Sequence, residues 1–165
     1  MENNQRHKQI DFLTLLADQP LRYGIKSPDM DLYDFGFGDD VEVMGCRGQR
    51  TVCRYILHAV CRFKVIWQDG SRRVDRYYED TSNVLFREAV QKLLGNRVKR
   101  VALSEKNDLW MDFGDFWMVF ATFENNKESW RFFRMDQDAP HLIAADSWME
   151  FFPQAPDSAQ TKGRT

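Results

Sequence analysis

The clearest pattern along the chain is a strict alternation over residues 53–67. Every second side chain there is apolar, and the positions between them mix charged with aliphatic side chains. A period of two residues indicates a long β-strand with one fully buried face. The Asp69-Gly70 pair that follows is typical of a tight hairpin, so residues 72–78 are predicted to return as the partner strand.

A helix is predicted directly after this hairpin. Apolar side chains recur there at the three- and four-residue spacing of one helix face, at Phe86, Ala89, Val90, Leu93 and Leu94. Thr81 or Ser82 can cap its start. Gly95 is well placed to adopt the left-handed backbone conformation that ends a helix.

Shorter elements are predicted on either side. The apolar side chains of residues 10–16, ahead of Pro20, predict one helix of about two turns. The residues between this helix and position 53 are predicted to be loop or short strand. Beyond the principal helix, apolar alternation and turn residues predict strands at 98–103, 109–113, 116–123 and 129–135.

Together these elements predict an α+β fold, in which an antiparallel meander sheet carries one principal helix after the first long hairpin. A chain of 165 residues that is 43% hydrophobic can bury one core, so residues 1–152 are predicted to form a single α+β domain. Residues 153–165 are rich in Pro, Ser, Gln and Gly and lack large aliphatic side chains. This composition predicts a disordered C-terminal tail.

The sequence also bears on cellular location. The amino terminus lacks an apolar run long enough for a signal peptide, and no later segment reaches the length of a membrane span. A cytoplasmic protein is therefore expected. Its cysteines, Cys46, Cys53 and Cys61, are odd in number and irregular in spacing, which is typical of reduced thiols rather than of a disulfide framework.

The net charge of -2 conceals a segregation of charge along the chain. Residues 27–44 hold six carboxylates and no Lys or Arg, whereas residues 45–78 hold eight Lys and Arg against two Asp. Three aromatic rings stand among the carboxylates of the first stretch. This patterning makes the acidic stretch the first candidate for a functional surface.

Catalytic and metal-binding explanations of the sequence fit poorly. The histidines at positions 7, 58 and 141 have no Ser or Cys nucleophile at a recognisable spacing, and zinc-type ligand pairs are missing from the sequence. Calcium bound by the acidic stretch is a weaker alternative, because an EF-hand needs oxygen ligands at alternating positions of its loop. Gly36-Phe37-Gly38 superficially resembles a phosphate-binding turn, but the two aspartates that follow would repel a phosphate. The sequence therefore predicts no enzyme, no cofactor and no metal.

The preferred interpretation is a surface that binds a basic partner protein. Carboxylates steer such a partner by charge, and rings among them anchor it. A nuclease domain, whose phosphate-binding cleft is lined by Lys and Arg, is the class of partner expected. The residues predicted to bind it are Asp31, Tyr33, Asp34, Phe35, Phe37, Asp39, Asp40 and Glu42.

Two other interpretations stay open at this point. In the first, the acidic stretch and the basic strands neutralise one another across the surface. In the second, the arginines of residues 47–76 bind nucleic-acid phosphates, and Trp67, Tyr77 or Tyr78 stacks on bases. The acidic overall balance argues against nucleic acid as the partner.

Residues 93–133 resemble a module of small bacterial α+β proteins. The matching elements are Leu94-Gly95 at the helix end, Val98 and Val101 in a strand, Asp108-Leu109 with Met111 and Phe113 in the next, and Glu128-Ser129-Trp130 opening the last. Such modules are similar to those of immunity proteins in polymorphic-toxin and contact-dependent growth inhibition systems. The resemblance implies an immunity protein that neutralises a toxin domain in the bacterial cytoplasm, and it identifies no binding residue.

Overall fold

The computed structural model describes residues 2–28, 30, 32–78 and 83–153. Within them the chain forms two α-helices and eleven β-strands. The helices are α1 (Glu2–Leu13) and α2 (Asn83–Leu93), and a 3-10 turn, Thr14–Leu16, follows α1. The strands are β1 (Leu21–Lys26), β2 (Tyr33–Gly45), β3 (Gly48–Ala59), β4 (Phe63–Asp69), β5 (Arg72–Tyr78), β6 (Arg100–Leu103), β7 (Leu109–Asp112), β8 (Phe116–Phe120), β9 (Trp130–Arg134), β10 (His141–Ala144) and β11 (Met149–Phe152).

The strands form two antiparallel sheets, which confirms the predicted α+β fold class. Sheet I has the order β1-β2-β3-β9-β10-β11, and sheet II has the order β5-β4-β8-β7-β6. The principal helix α2 follows the β4–β5 hairpin as predicted, and Gly95 beyond its end has a φ of +79°. The predicted caps Thr81 and Ser82 lie outside the described residues, and so does the predicted tail except for Pro153.

One cluster of buried side chains joins the inner faces of both sheets and α2. Phe35 of β2 lies at its centre and is fully buried. Its ring meets Phe63 of β4 at 5.5 Å and Phe120 of β8 at 5.4 Å between centroids, both edge to face. It also contacts Phe86 of α2 at 6.1 Å. A single ring therefore contacts elements of both sheets and the helix.

The prediction of one long strand over residues 53–67 is wrong, because the segment forms two strands in different sheets. The chain leaves sheet I after Ala59 and enters sheet II with β4. At the crossing, the backbone amides of Val60 and Cys61 both donate to the carbonyl oxygen of Ser129. The alternation continues through the break because β3 and β4 direct alternate side chains into the same core from opposite sides.

Other strands of sheet I also differ from the prediction. The segment before residue 53 was expected to be loop or short strand, yet β2 alone has 13 residues and pairs with both β1 and β3. β10 and β11 were not predicted. Each has four residues, which is too short for a clear two-residue period. The remaining predicted strands are confirmed, since β6 to β9 each lie within a predicted range.

Two glycines set the course of β2. Gly36 lies against the ring of Tyr23, where an added Cβ would come within 2.1 Å of a ring atom. Gly38 has a φ of +83° and occupies the β-bulge between Phe37 and Asp40. Bulges bend a strand and interrupt its pairing, and this one marks the point at which β2 passes beyond the end of β1.

The N-terminal helix is longer than the two turns predicted. α1 has 12 residues, and Leu13 and Leu16 at its C-terminal side are buried in the core. Of the helices in the described part of the chain, neither combines the length and apolar character needed to cross a bilayer.

Candidate binding surface

The three aromatic rings predicted to anchor a partner are core residues. Tyr33, Phe35 and Phe37 are 6%, 0% and 0% exposed. Their two-residue spacing places all three on the inner face of β2. The prediction that these rings contact a partner is therefore wrong, because the folded chain buries them against its own core.

The carboxylates of the acidic stretch lie in two places. Asp34 is on the outer face of sheet I, opposite His58 in the register. Asp39, Asp40 and Glu42 lie beyond Phe37, where β2 is mostly exposed. Asp31 lies outside the described residues.

Arginines of the same chain contact part of this acidic charge. Arg54 of β3 donates to both carboxylate oxygens of Asp39 at 2.6 Å and also to Asp136. The hydrogen bonds from Arg54 lower the pKa of Asp39 to about 2. Arg22 lies 3.6 Å from Asp40. Acidic and basic segments thus partly neutralise one another within the fold, as one of the alternatives expected.

The outer face of sheet I brings together a second set of candidate residues, which we call the open face. The strand register places two rows of side chains across the six strands. One row is mostly polar and consists of Ile25, Asp34, His58, Arg131, Ile143 and Glu150. The neighbouring row is mostly apolar and consists of Tyr23, Gly36, Ile56, Phe133, His141 and Phe152.

Asp34 lies between a tyrosine and a histidine on this face. The Tyr23 hydroxyl donates to Asp34 Oδ1 at 3.1 Å, and His58 Nε2 lies 3.6 Å from the same oxygen. Burial raises the pKa of the Asp34 carboxyl, and the neighbouring His58 opposes that shift. Burial also lowers the pKa of His58 and, together with Asp34, raises the pKa of Tyr23. The imidazole of His58 is therefore mainly uncharged at neutral pH.

Phe133 lies between two histidines in the apolar row. Its ring centroid is 4.9 Å from that of His58, edge to face, and 4.5 Å from that of His141, nearly parallel. The side chains around it form a cluster separate from the main core: Cys53, Ile56 and Phe133, with Tyr23 and Met135 packed against them. Cys53, Ile56 and Phe133 are only 6%, 6% and 8% exposed, because the side chains around them, including the two histidine rings, cover them.

Exposed apolar side chains also lie at the two ends of the open face. Ile25 on β1 is 54% exposed and Phe152 on β11 is 39% exposed. The charged groups between them are Asp34, Glu128, Arg131 and Glu150, and Arg131 donates to Glu128 at 2.9 Å. Three carboxylates against one guanidinium give the face a net negative charge when both histidines are neutral.

Sequence reasoning identified only Asp34 among these residues. The others were missed because the face is assembled from six strands, of which β9 to β11 lie far from β1 to β3 in the chain. One signal was available in the Phe132-Phe133 pair. Adjacent residues of a strand point to opposite faces, so one of two consecutive rings had to lie on the outer side of the sheet.

Within residues 2–28, 30, 32–78 and 83–153, no group of three or more His, Cys, Asp or Glu side chains is arranged to hold a metal ion. A cleft lies elsewhere, between α2 and the β4–β5 hairpin, and is lined by Trp67, Arg76, Glu88 and Lys92 among others. Comparisons with protein-family models, with curated protein sequences and with solved structures found no match to this chain.

Proposed function

We propose that this protein is an immunity protein that binds and neutralises a basic toxin domain, and that the open face of sheet I contacts this domain. The observation that carries the proposal is the pair of exposed apolar side chains on this face, Ile25 and Phe152, together with the excess of carboxylates between them. Apolar side chains that an interface buries supply much of its binding energy, and complementary charge raises the rate of encounter.

The dimensions of the face suit a protein partner. Six strands at a spacing of about 4.8 Å extend about 24 Å from the first to the last. An interface of standard size covers about 800 Å² on each partner, so a partner of this kind would also contact surface beside the open face. A nuclease domain with a Lys- and Arg-lined cleft is the class of toxin that matches the acidic excess. Binding in the bacterial cytoplasm would block its active site or substrate surface, and the immunity protein would act without turnover.

The geometry gives less support to the nucleic-acid alternative. The arginines of residues 47–76 are divided between sheet I and sheet II, so they form no continuous basic stripe. Arg54 is bound to two carboxylates of its own chain. Phosphate binding by these strands would require breaking such ion pairs.

The experiment that tests the proposal is a protection assay with the toxin domain encoded beside the gene for this protein. Ile25→Arg places a cation and a longer side chain on the open face, at a residue that is 54% exposed. We expect this variant to bind the toxin at least about tenfold more weakly, which is about 1.4 kcal/mol, and to lose protection of cells. Ala102→Arg is the matched control, because Ala102 is exposed on the outer side of sheet II.

Both variants should keep the melting temperature of the parent, because each replaced side chain is exposed. An Ile25→Arg protein that binds and protects as well as the parent would show that the open face is not the interface. A mobility shift with tRNA whose affinity falls steeply with salt would instead favour the nucleic-acid alternative.

A further inference from the structure

The β2–β3 hairpin continues past sheet I as a two-stranded ribbon formed by residues 40–45 and 48–53. β1 pairs with β2 only as far as Phe37, and β9 pairs with β3 only from Tyr55 onward. Among the described strands, none except β3 pairs with residues 40–45. We call the outward side of this segment the β2 edge.

The backbone of the β2 edge is suited to accept another strand. In an antiparallel ladder every second residue directs its N–H and C=O away from its partner. Natural sheets block such edges with charged side chains, above all Lys, and with Pro, bulges or covering elements. The charged side chains here, Asp40 and Glu42, are carboxylates, which repel an acidic strand and attract a basic one. Residues 40–45 contain no Pro or Lys, and the bulge at Gly38 comes before them. Met44 near the tip is 74% exposed.

The side chains of the ribbon define what an added strand must carry. Alternation along β2 places Asp40, Glu42 and Met44 on one face and Val41 and Val43 on the other. Val41 lies opposite Val52 and Val43 lies opposite Arg50 in the register, so the second face is aliphatic on β2 and carries one aliphatic and one cationic side chain on β3. A neighbouring strand would be stabilised by basic side chains on the first face and by β-branched apolar side chains on the second.

We infer that the β2 edge pairs, strand to strand, with an extended segment of the toxin domain that alternates basic and β-branched apolar residues. This inference rests on the proposed function for the identity of the partner, and it adds a second mode of contact to the open face. Backbone hydrogen bonds of an added strand supply affinity, and alternate side chains supply specificity. The opposite edge of the ribbon carries Arg50 and no carboxylate at residues 48–53, so charge directs a basic strand to β2.

A peptide probe tests this inference independently of any toxin. The probe is a short blocked peptide of alternating Lys and Val, and its comparison is the matching peptide of alternating Glu and Val. With the full chain and the Lys-Val peptide, we expect amide hydrogen exchange within residues 40–44 to slow at least about tenfold at low salt. The Glu-Val peptide should leave these amides unchanged.

The double variant Asp40→Lys, Glu42→Lys should reverse the preference, so that only the Glu-Val peptide slows exchange at these amides. Unchanged exchange with the Lys-Val peptide would overturn the inference. So would protection that maps to residues 49–53, or a concentration-dependent dimer that occupies the edge with a second copy of the chain. If the toxin is bound and neutralised although the peptide test fails, strand addition is wrong and the proposed function stands. If the peptide adds but the toxin is not bound, the proposed function fails instead.

Discussion

The two histidines that contact Phe133 make the stability of the folded chain depend on pH. Burial lowers the pKa of His58 and of His141, and the positive charge of Arg131 adds to the effect on both. The carboxylate of Glu128 opposes the lowering of the pKa of both histidines, and the carboxylate of Asp34 opposes it for His58. Because the pKa is lower in the folded chain, the unfolded chain binds protons first as the pH falls below about 6.5. Stability is therefore lost as the pH falls through that value toward the folded pKa.

We expect His58→Gln to flatten the dependence of stability on pH between 7 and 5. Each proton bound only by the unfolded chain changes the free energy of unfolding by at most about 1.4 kcal/mol per pH unit. Urea unfolding at several pH values measures the slope for parent and variant. His7→Gln, at an exposed position of α1, is the control and should keep the parental slope. A His58→Gln slope equal to that of the parent would show that this imidazole titrates alike in both states.

Asp34 acts on stability in the opposite sense. Its pKa is raised by burial, so the folded chain binds this proton before the unfolded chain does. The cost of burying the carboxylate is present above the folded pKa and is relieved as the pH falls through it. The contribution of Asp34 to stability therefore changes between its unfolded pKa, at about 3.9, and its higher folded pKa.

At the scale of elements, the ribbon differs from every other part of sheet I because it lacks a layer beneath it. Its residues are mainly exposed. In contrast, the parts of β2 and β3 that lie within sheet I carry Phe35 and Leu57 in the core. Stability from burial is proportional to the apolar area removed from water. The ribbon therefore contributes little to the stability of the fold, even though it extends two of its central strands.

We expect a chain with a shortened ribbon to fold normally. Val41 and Val52 are opposite one another, so residues 42–51 can be replaced by Asn-Gly, a pair suited to a two-residue turn. The melting temperature, followed by circular dichroism, should stay within a few degrees of the parent value, which corresponds to about 1 kcal/mol or less. The shortened chain should also lose the exchange effect of the Lys-Val peptide. Loss of cooperative unfolding would show that the ribbon supports the sheet.

At the scale of the whole molecule, the two sheets depend on one another. The inner faces of both belong to one cluster, and the rings of Phe35, Phe63 and Phe120 meet at its centre. Separating the sheets would expose all of these side chains at once. A core shared in this way makes unfolding an all-or-none process.

Hydrogen exchange under native conditions should therefore show the same free energy of opening for both sheets. The amides to compare are those of Leu57 and Phe132 in sheet I with those of Met111 and Met118 in sheet II, since all four side chains are fully buried. Equal values, matching the global free energy of unfolding, are the expected result. Markedly earlier exchange in sheet II would show that it opens on its own.

Several elements could be predicted from the sequence because their cause is local. The helix around Leu93 follows from the spacing of its apolar side chains and from Gly95, and both act within a few residues. The hairpin at Asp69-Gly70 follows from the turn chemistry of that pair. The alternation over residues 53–67 likewise predicted that Tyr55, Leu57, Phe63 and Val65 share the core side, because a period of two residues fixes the face each one occupies. Ile56 and Ile66, at intervening positions, are buried as well.

The assignment of those side chains to one sheet or two was decided only by tertiary structure. An alternating pattern is the same whether a strand continues or turns at Ala59 to face the same core from the other side. The same limit explains why the rings of the acidic stretch were predicted to contact a partner although they are buried in the core. Local sequence gives Phe35 and Phe37 a common face, but the choice between core and solvent depends on strands that come much later in the chain.

The open face shows most clearly the difference between what the sequence predicts and what only the tertiary structure decides. The sequence by itself placed His58 and Phe133 on predicted strands, whereas Asp34 fell in a segment predicted to be loop or short strand. Their meeting on one surface depends on the order β1-β2-β3-β9-β10-β11, which brings together residues more than a hundred positions apart. Local side-chain preferences act over a few residues, whereas strand order is selected by burial of the whole core, so only the folded chain could assemble this face.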